Sequence, residues 1–107
     1  MTGIVTVYAV FLDEAEARRI ARTCVEERLA ACVNLLGPIH SIYRWQGGIE
    51  EAREVAALFK ATAGGAAALI ARIAGLHSYA VPAILVWPIA DAFGDYAEWV
   101  AAETRGD

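Results

Sequence analysis

Residues 50–60 read Glu50-Glu51-Ala52-Arg53-Glu54-Val55-Ala56-Ala57-Leu58-Phe59-Lys60, and the fold turns on whether they form a helix or a strand. Their composition is that of a helix, rich in Ala, Glu, Leu and Lys. Their position argues otherwise. Just before them, Ile39–Trp45 alternates β-branched and aromatic residues, with Ile39, Ser41, Tyr43 and Trp45 on one face and His40, Ile42 and Arg44 on the other. Gln46-Gly47-Gly48 then signals a hairpin. A strand over 50–60 completes that hairpin, whereas a helix leaves half of it unpaired. Propensity alone puts helix slightly ahead, and topological economy pushes back towards strand.

The neighbouring segments weigh in the same direction. Ile4–Leu12 predicts a buried strand. Asp13 with Glu16 forms a capping-box signal for a helix whose apolar stripe is Ala17, Ile20, Ala21, Cys24 and Val25. Ala31–Leu35 suits a central strand, and Gly37-Pro38 bends the chain before Ile39. Ala66–Leu76 places Leu69, Ile73 and Leu76 on one helical face. Val81–Ile89 is a strand with Pro82 and Pro88 near its ends. Tyr96–Thr104 is a short closing helix with Trp99 and Val100 as its apolar side. With 50–60 as a strand, the order is β-α-β-β-α-β plus a terminal helix, an α+β, ferredoxin-like pattern in one domain over residues 1–107.

Composition limits the partners. Hydrophobic residues make up 58% of 107, a surplus for a small domain. A membrane span is not expected, because the best apolar stretch, Ala80–Ala90, is short and broken by two prolines. Self-association is the other outlet, although 23 alanines account for part of the excess. A net charge of −4 with no basic cluster speaks against nucleic acid. With no basic, secretory-type leader after Met1, Cys24 and Cys32 are expected as reduced, buried thiols in a cytoplasmic protein.

Motifs for phosphate loops, dinucleotides, nucleophile elbows and zinc are missing from the sequence. His77, following a helix end, reads as a capping or hydrogen-bonded imidazole, or else as a ligand contact at the mouth of an apolar cleft. His40 reads as a surface or strand-pair residue. Lys60 is the only lysine and on a strand shares a face with Glu54, too far off to pair but able to line one groove with it. Trp45, Trp87 and Trp99, with Tyr43, Tyr79 and Tyr96, suit either core or subunit contacts.

Three blocks occur in order: Leu29-Ala30-Ala31-Cys32-Val33-Asn34, then Ser41-Ile42-Tyr43-Arg44-Trp45, then Leu76-His77-Ser78-Tyr79 with Val81-Pro82. With Glu54, Lys60, Tyr96 and Trp99 at their spacing, the chain from about Val5 to Val100 resembles the CutA family of divalent-ion tolerance proteins. The resemblance implies a ferredoxin-like homotrimer of PII-like architecture, with Glu51–Ala61 as a strand. It implies that Tyr43, Trp45, Glu54, Lys60, His77, Tyr79 and Trp99 surround clefts between subunits. It also implies a role in tolerance to copper and other divalent ions, with no enzymatic reaction. Family positions that often carry metal-binding side chains are here Ala9-Val10-Phe11, Leu76 and Ala83. That leaves His77 as the candidate metal ligand and Cys32 as a distant one, so any divalent ion, copper included, is expected to bind weakly. A second expectation is a sensing or partner-binding trimer whose cleft of Lys60, Glu54, Tyr43 and Trp45 holds an anionic or aromatic ligand. An enzyme using Cys32 or His77 is the third.

Overall fold

Residues 2–104 are described in the computed structural model. The elements are β1 (Ile4–Phe11), α1 (Glu14–Glu26), β2 (Cys32–Trp45), β3 (Gly48–Thr62), α2 (Ala66–Leu76), β4 (Ile84–Pro88) and α3 (Gly94–Glu103). Segment 50–60 is therefore a strand. It lies inside a four-stranded antiparallel sheet of order β2-β3-β1-β4, paired with β2 on one side and β1 on the other. Helix preferences of tenths of a kcal/mol per residue give way to two hydrogen-bonded neighbours and a strand face that buries Val55, Ala57 and Phe59.

The hairpin signal works through backbone geometry. Gln46 and Gly47 have φ of 49° and 84°, and Trp45 pairs with Gly48 across them. Two successive positive φ values are the requirement of a type I′ turn, whose twist matches that of the flanking strands.

Two expectations about the first half of this hairpin are corrected. Ala31–Leu35 and Ile39–Trp45 are not separate strands: β2 runs unbroken over 14 residues, and the Gly37-Pro38 bend is a register shift between Leu35 and Gly37. Gly37 takes φ of 90°, so a β-bulge absorbs the kink without ending the pairing. Nor is this strand central. It is an edge, where the missing N–H of Pro38 can face away from the ladder.

Helices α1 and α2 cover one sheet face. Val5, Val7, Ala9 and Phe11 of β1 meet Ala17, Ile20 and Cys24 of α1 and Leu69 and Ile73 of α2. Arg72 clamps the two helices together, donating from Nε and Nη2 to the Glu27 carboxylate at 2.9 and 2.7 Å. The predicted α1 stripe holds except at Val25, which is exposed. Cys24 is buried as expected, and burial pushes its thiol up to about 11. Cys32 is only half-buried, because it begins an edge strand on the other face. Strand β4 is shorter than expected, with Pro82 outside it.

Neither α1 nor α2 covers the opposite face, although Thr6, Val10, Glu54 and Ala56 on it are buried. Thr6, Lys60, Cys32 and Trp87 form one row across the sheet, and Tyr8, Leu58, Asn34 and Leu85 the next. Helix α3 covers only its end, seating Val100 against Ile4 and Ala31. Trp99, read with Val100 as the apolar side of this helix, is exposed in the single chain and lies against Tyr96, while Val100, with Ala97 beside it, seats the helix on the sheet.

Candidate functional site

The helix start after β1 organises one wall of the site. Asp13 caps α1, its Oδ1 accepting the Glu16 N–H at 2.9 Å. Glu16 departs from the usual reciprocal capping box. Its carboxylate accepts the N–H of Leu12 at 3.0 Å and, across the fold, the N–H of Ser78 at 2.9 Å. Burial by itself raises the Glu16 carboxyl, but hydrogen bonds from Ser78 and Leu12 outweigh it and hold it below the ordinary glutamate range. The segment after α2 is thereby tied to the start of α1.

His77 continues that tie. Its Nε2 donates to the Val10 carbonyl at 2.7 Å, and its Nδ1 accepts the Tyr79 N–H at 3.0 Å, which selects the tautomer protonated on Nε2. The ring stacks on Phe11 with centroids 5.1 Å apart. Both nitrogens are engaged, so metal ligation through this ring requires breaking one of these bonds. Among the described residues no three His, Cys, Asp or Glu side chains group as a metal site would need.

Held this way, Tyr79 reaches β3. Its hydroxyl donates to Glu54 Oε2 at 2.6 Å. Burial, reinforced by that bond and the nearby carboxylate, drives the Tyr79 phenol well above the ordinary tyrosine range. We expect a Tyr79→Phe variant to lose one late-ionising phenol in a tyrosinate absorbance titration, and an unchanged titration to contradict this assignment.

Above the Glu54–Tyr79 pair lies a cavity of about 510 Å³. Ile39, Ser41, Tyr43 and Trp45 line it from β2, confirming the alternation read in the sequence, and Tyr8, Val10 and Val81 complete the apolar wall. Of the expected site residues, the structure thus brings together Tyr43, Trp45, Glu54 and Tyr79. Within one chain it sets Lys60 and Trp99 elsewhere, and His77 stands behind Tyr79, outside the lining. Lys60 donates to Asn34 Oδ1 in the row shared with Cys32 and Thr6, and Trp99 lies against Tyr96. Tyr96 in turn shares a 3.2 Å hydrogen bond with Cys32 Sγ, and burial together with that thiol pushes its phenol up to about 12. Tyr8 and Val81 were missed in the sequence. Tyr8 stands in a strand otherwise read as core, and only strand alternation hints that it faces away from the helices. His40 pairs with Glu51 at 2.7 Å on the exposed hairpin arm, as a strand-pair residue should.

The family model described as CutA1 divalent ion tolerance protein matches residues 5–103. The chain belongs to the CutA family. It is 45% identical to the divalent-cation tolerance protein CutA of Thermus thermophilus over 92 residues, covering 86% of this chain and 89% of that protein. Its fold superposes on the solved Thermus thermophilus CutA1 with a TM-score of 0.91 at 42% identity, covering 94% and 98% of the two chains. The CutA of Archaeoglobus fulgidus, described as periplasmic, gives a TM-score of 0.91 at 33% identity, covering 94% and 97%. The cavity, the extended hairpin and the Glu54–Tyr79 pair thus sit on a CutA scaffold. Among the described residues, no helix is long and apolar enough to cross a membrane.

Proposed function

We propose that this CutA protein acts in tolerance to divalent cations, copper among them, as a ferredoxin-like homotrimer of the cytoplasm. The single observation that carries the role is likeness to divalent-cation tolerance proteins over nearly the whole chain, in sequence and fold alike. In cells lacking their own CutA, expression of this chain should restore growth in copper-supplemented medium. Growth no better than with an empty vector overturns the role.

The open sheet face supports assembly. Leu85 and Trp87 on it, Trp99 beside it and Ile42 and Ile49 on the hairpin arm are 43–67% exposed in the single chain. Such clustering on a small domain marks a protein interface. Sedimentation is expected to give three times 11.5 kDa, and Trp87→Glu to shift the population towards smaller species. A wild-type monomer at micromolar concentration overturns the trimer. Two free cysteines suit a reducing compartment, which supports the cytoplasmic reading. Any divalent ion would bind weakly through His77, at the expense of one of its two hydrogen bonds.

A further inference from the structure

The cavity beside the hairpin arm holds one formal charge. Glu54 is 7% exposed, and among the described residues no Lys, Arg or His lies within ion-pairing distance of it. Its Oε2 accepts one hydrogen bond, from Tyr79. The lining contains no basic side chain, while Tyr8, Tyr43, Trp45 and Tyr79 present aromatic rings to the same space. With one neutral donor from the protein, the carboxylate's other oxygen is left to water or to whatever enters the cavity. What it lacks is positive charge and N–H donors, delivered by something whose remainder is apolar.

We propose that this cavity binds a small organic ammonium ion with an apolar or aromatic body, its nitrogen donating to Glu54 and its charge lying against the rings of Tyr43 and Trp45. Electrostatics and shape agree on this class. An anion would meet Glu54 as a like charge in a weakly polarisable surround. A neutral apolar molecule would remove water from the carboxylate and replace none of its hydrogen bonds. A bare divalent ion needs several oxygen or nitrogen ligands, whereas the lining offers one carboxylate and a few hydroxyls. An ammonium satisfies the carboxylate, gains from the electron-rich ring faces, and leaves its carbon skeleton to Ile39, Val10 and Val81. The volume of about 510 Å³ is in the range of small-molecule sites. Tyr79 acts as a positioning residue: its phenol, raised by burial, stays a donor and holds one carboxylate oxygen, leaving the other to the ligand. Lys60 lies outside this lining, so the cation that an anionic ligand would require here is not supplied by the same chain.

This inference does not rest on a role in metal tolerance. Its test uses the purified full chain in its native assembly, with 2-phenylethylammonium as the probe, 2-phenylethanol as its neutral match and 3-phenylpropanoate as its anionic match. Calorimetry and tryptophan fluorescence, sensitive to Trp45 in the wall, read the binding. The ammonium should bind at least about tenfold more tightly than the alcohol, with no measurable binding of the carboxylate. Glu54→Gln, nearly isosteric, should abolish the preference for ammonium over alcohol. Tyr43→Ala at the half-exposed rim should weaken the ammonium about tenfold, and it serves as the test if Glu54→Gln does not fold. Equal affinity for the three probes, an unaltered ammonium affinity in a folded variant, or no binding at about 10 mM overturns the proposal. The last result is the one expected if a second copy of the chain fills the cavity.

Discussion

Truncating Phe59 to alanine is expected to cost about 3–5 kcal/mol of folding stability, enough to unfold many small domains at ordinary temperature. The side chain is fully buried, its ring lies 6.1 Å from that of Phe11, and its backbone pairs with Val7 on one side and Val33 on the other. An alanine there removes a large apolar group and leaves a void that two hydrogen-bonded neighbouring strands cannot collapse to fill. Glu51→Ala, on the exposed part of the same strand, should stay within about 0.5 kcal/mol. Guanidinium unfolding at one fixed protein concentration compares the two, because association would otherwise shift the apparent stability. Losses of similar size in both variants would contradict the packing described for β3.

Replacing Glu16 by alanine should cost about 3 kcal/mol, and its effect should depend on pH. The carboxylate accepts the N–H groups of Leu12 and Ser78 while 6% exposed, so its removal strands two shielded donors at once. The sign of the pH dependence follows from the lowered carboxyl pKa in the folded state. Between the folded and unfolded values the unfolded chain binds the extra proton. The contribution is thus fully present above the unfolded value of about 4.3 and is lost as pH falls through the lower, folded value. The stability gap between wild type and Glu16→Ala should be constant near neutrality and narrow in acid. A gap that is flat down to the acid transition, or that widens, would rule out the charge-assisted bonds as its source. The same variant should loosen the Tyr79–Val81 wall of the cavity, which follows Ser78 directly, and this makes Glu16 a link between helix capping and the binding surface.

Much of the fold was legible from local pattern. Asp13 and Glu16 announced the start of α1, Leu69 and Ile73 marked the buried face of α2, and the alternation Ile39, Ser41, Tyr43, Trp45 put four lining residues on one side of β2. These readings succeed because they depend only on the 3.6- and 2-residue periods of the backbone. The continuity of β2 was not legible. Gly37-Pro38 carries the composition of a break, and only pairing with β3 turns it into a bulge. Segment 50–60 was readable only by combining the neighbouring hairpin and the family resemblance against its own propensity.

The site divides in the same way. Tyr43, Trp45, Glu54 and Tyr79 could each be singled out in the sequence, yet nothing there joins Glu54 to Tyr79 across 25 positions. That contact depends on Glu16 holding Ser78 and on His77 bridging Val10 and Tyr79, three side-chain bonds that local spacing does not encode. The grouping of Lys60 with Asn34 and Cys32, apart from Glu54, likewise follows from strand register. The sequence by itself determined the element types, the buried helix stripes, the hairpin turn and the family. Tertiary structure alone decided which strand lies at the edge, which face stays open, and which polar groups meet around the cavity. Periodicity is a property of a few consecutive residues, whereas a meeting of side chains from distant segments is settled only when the whole sheet is in register.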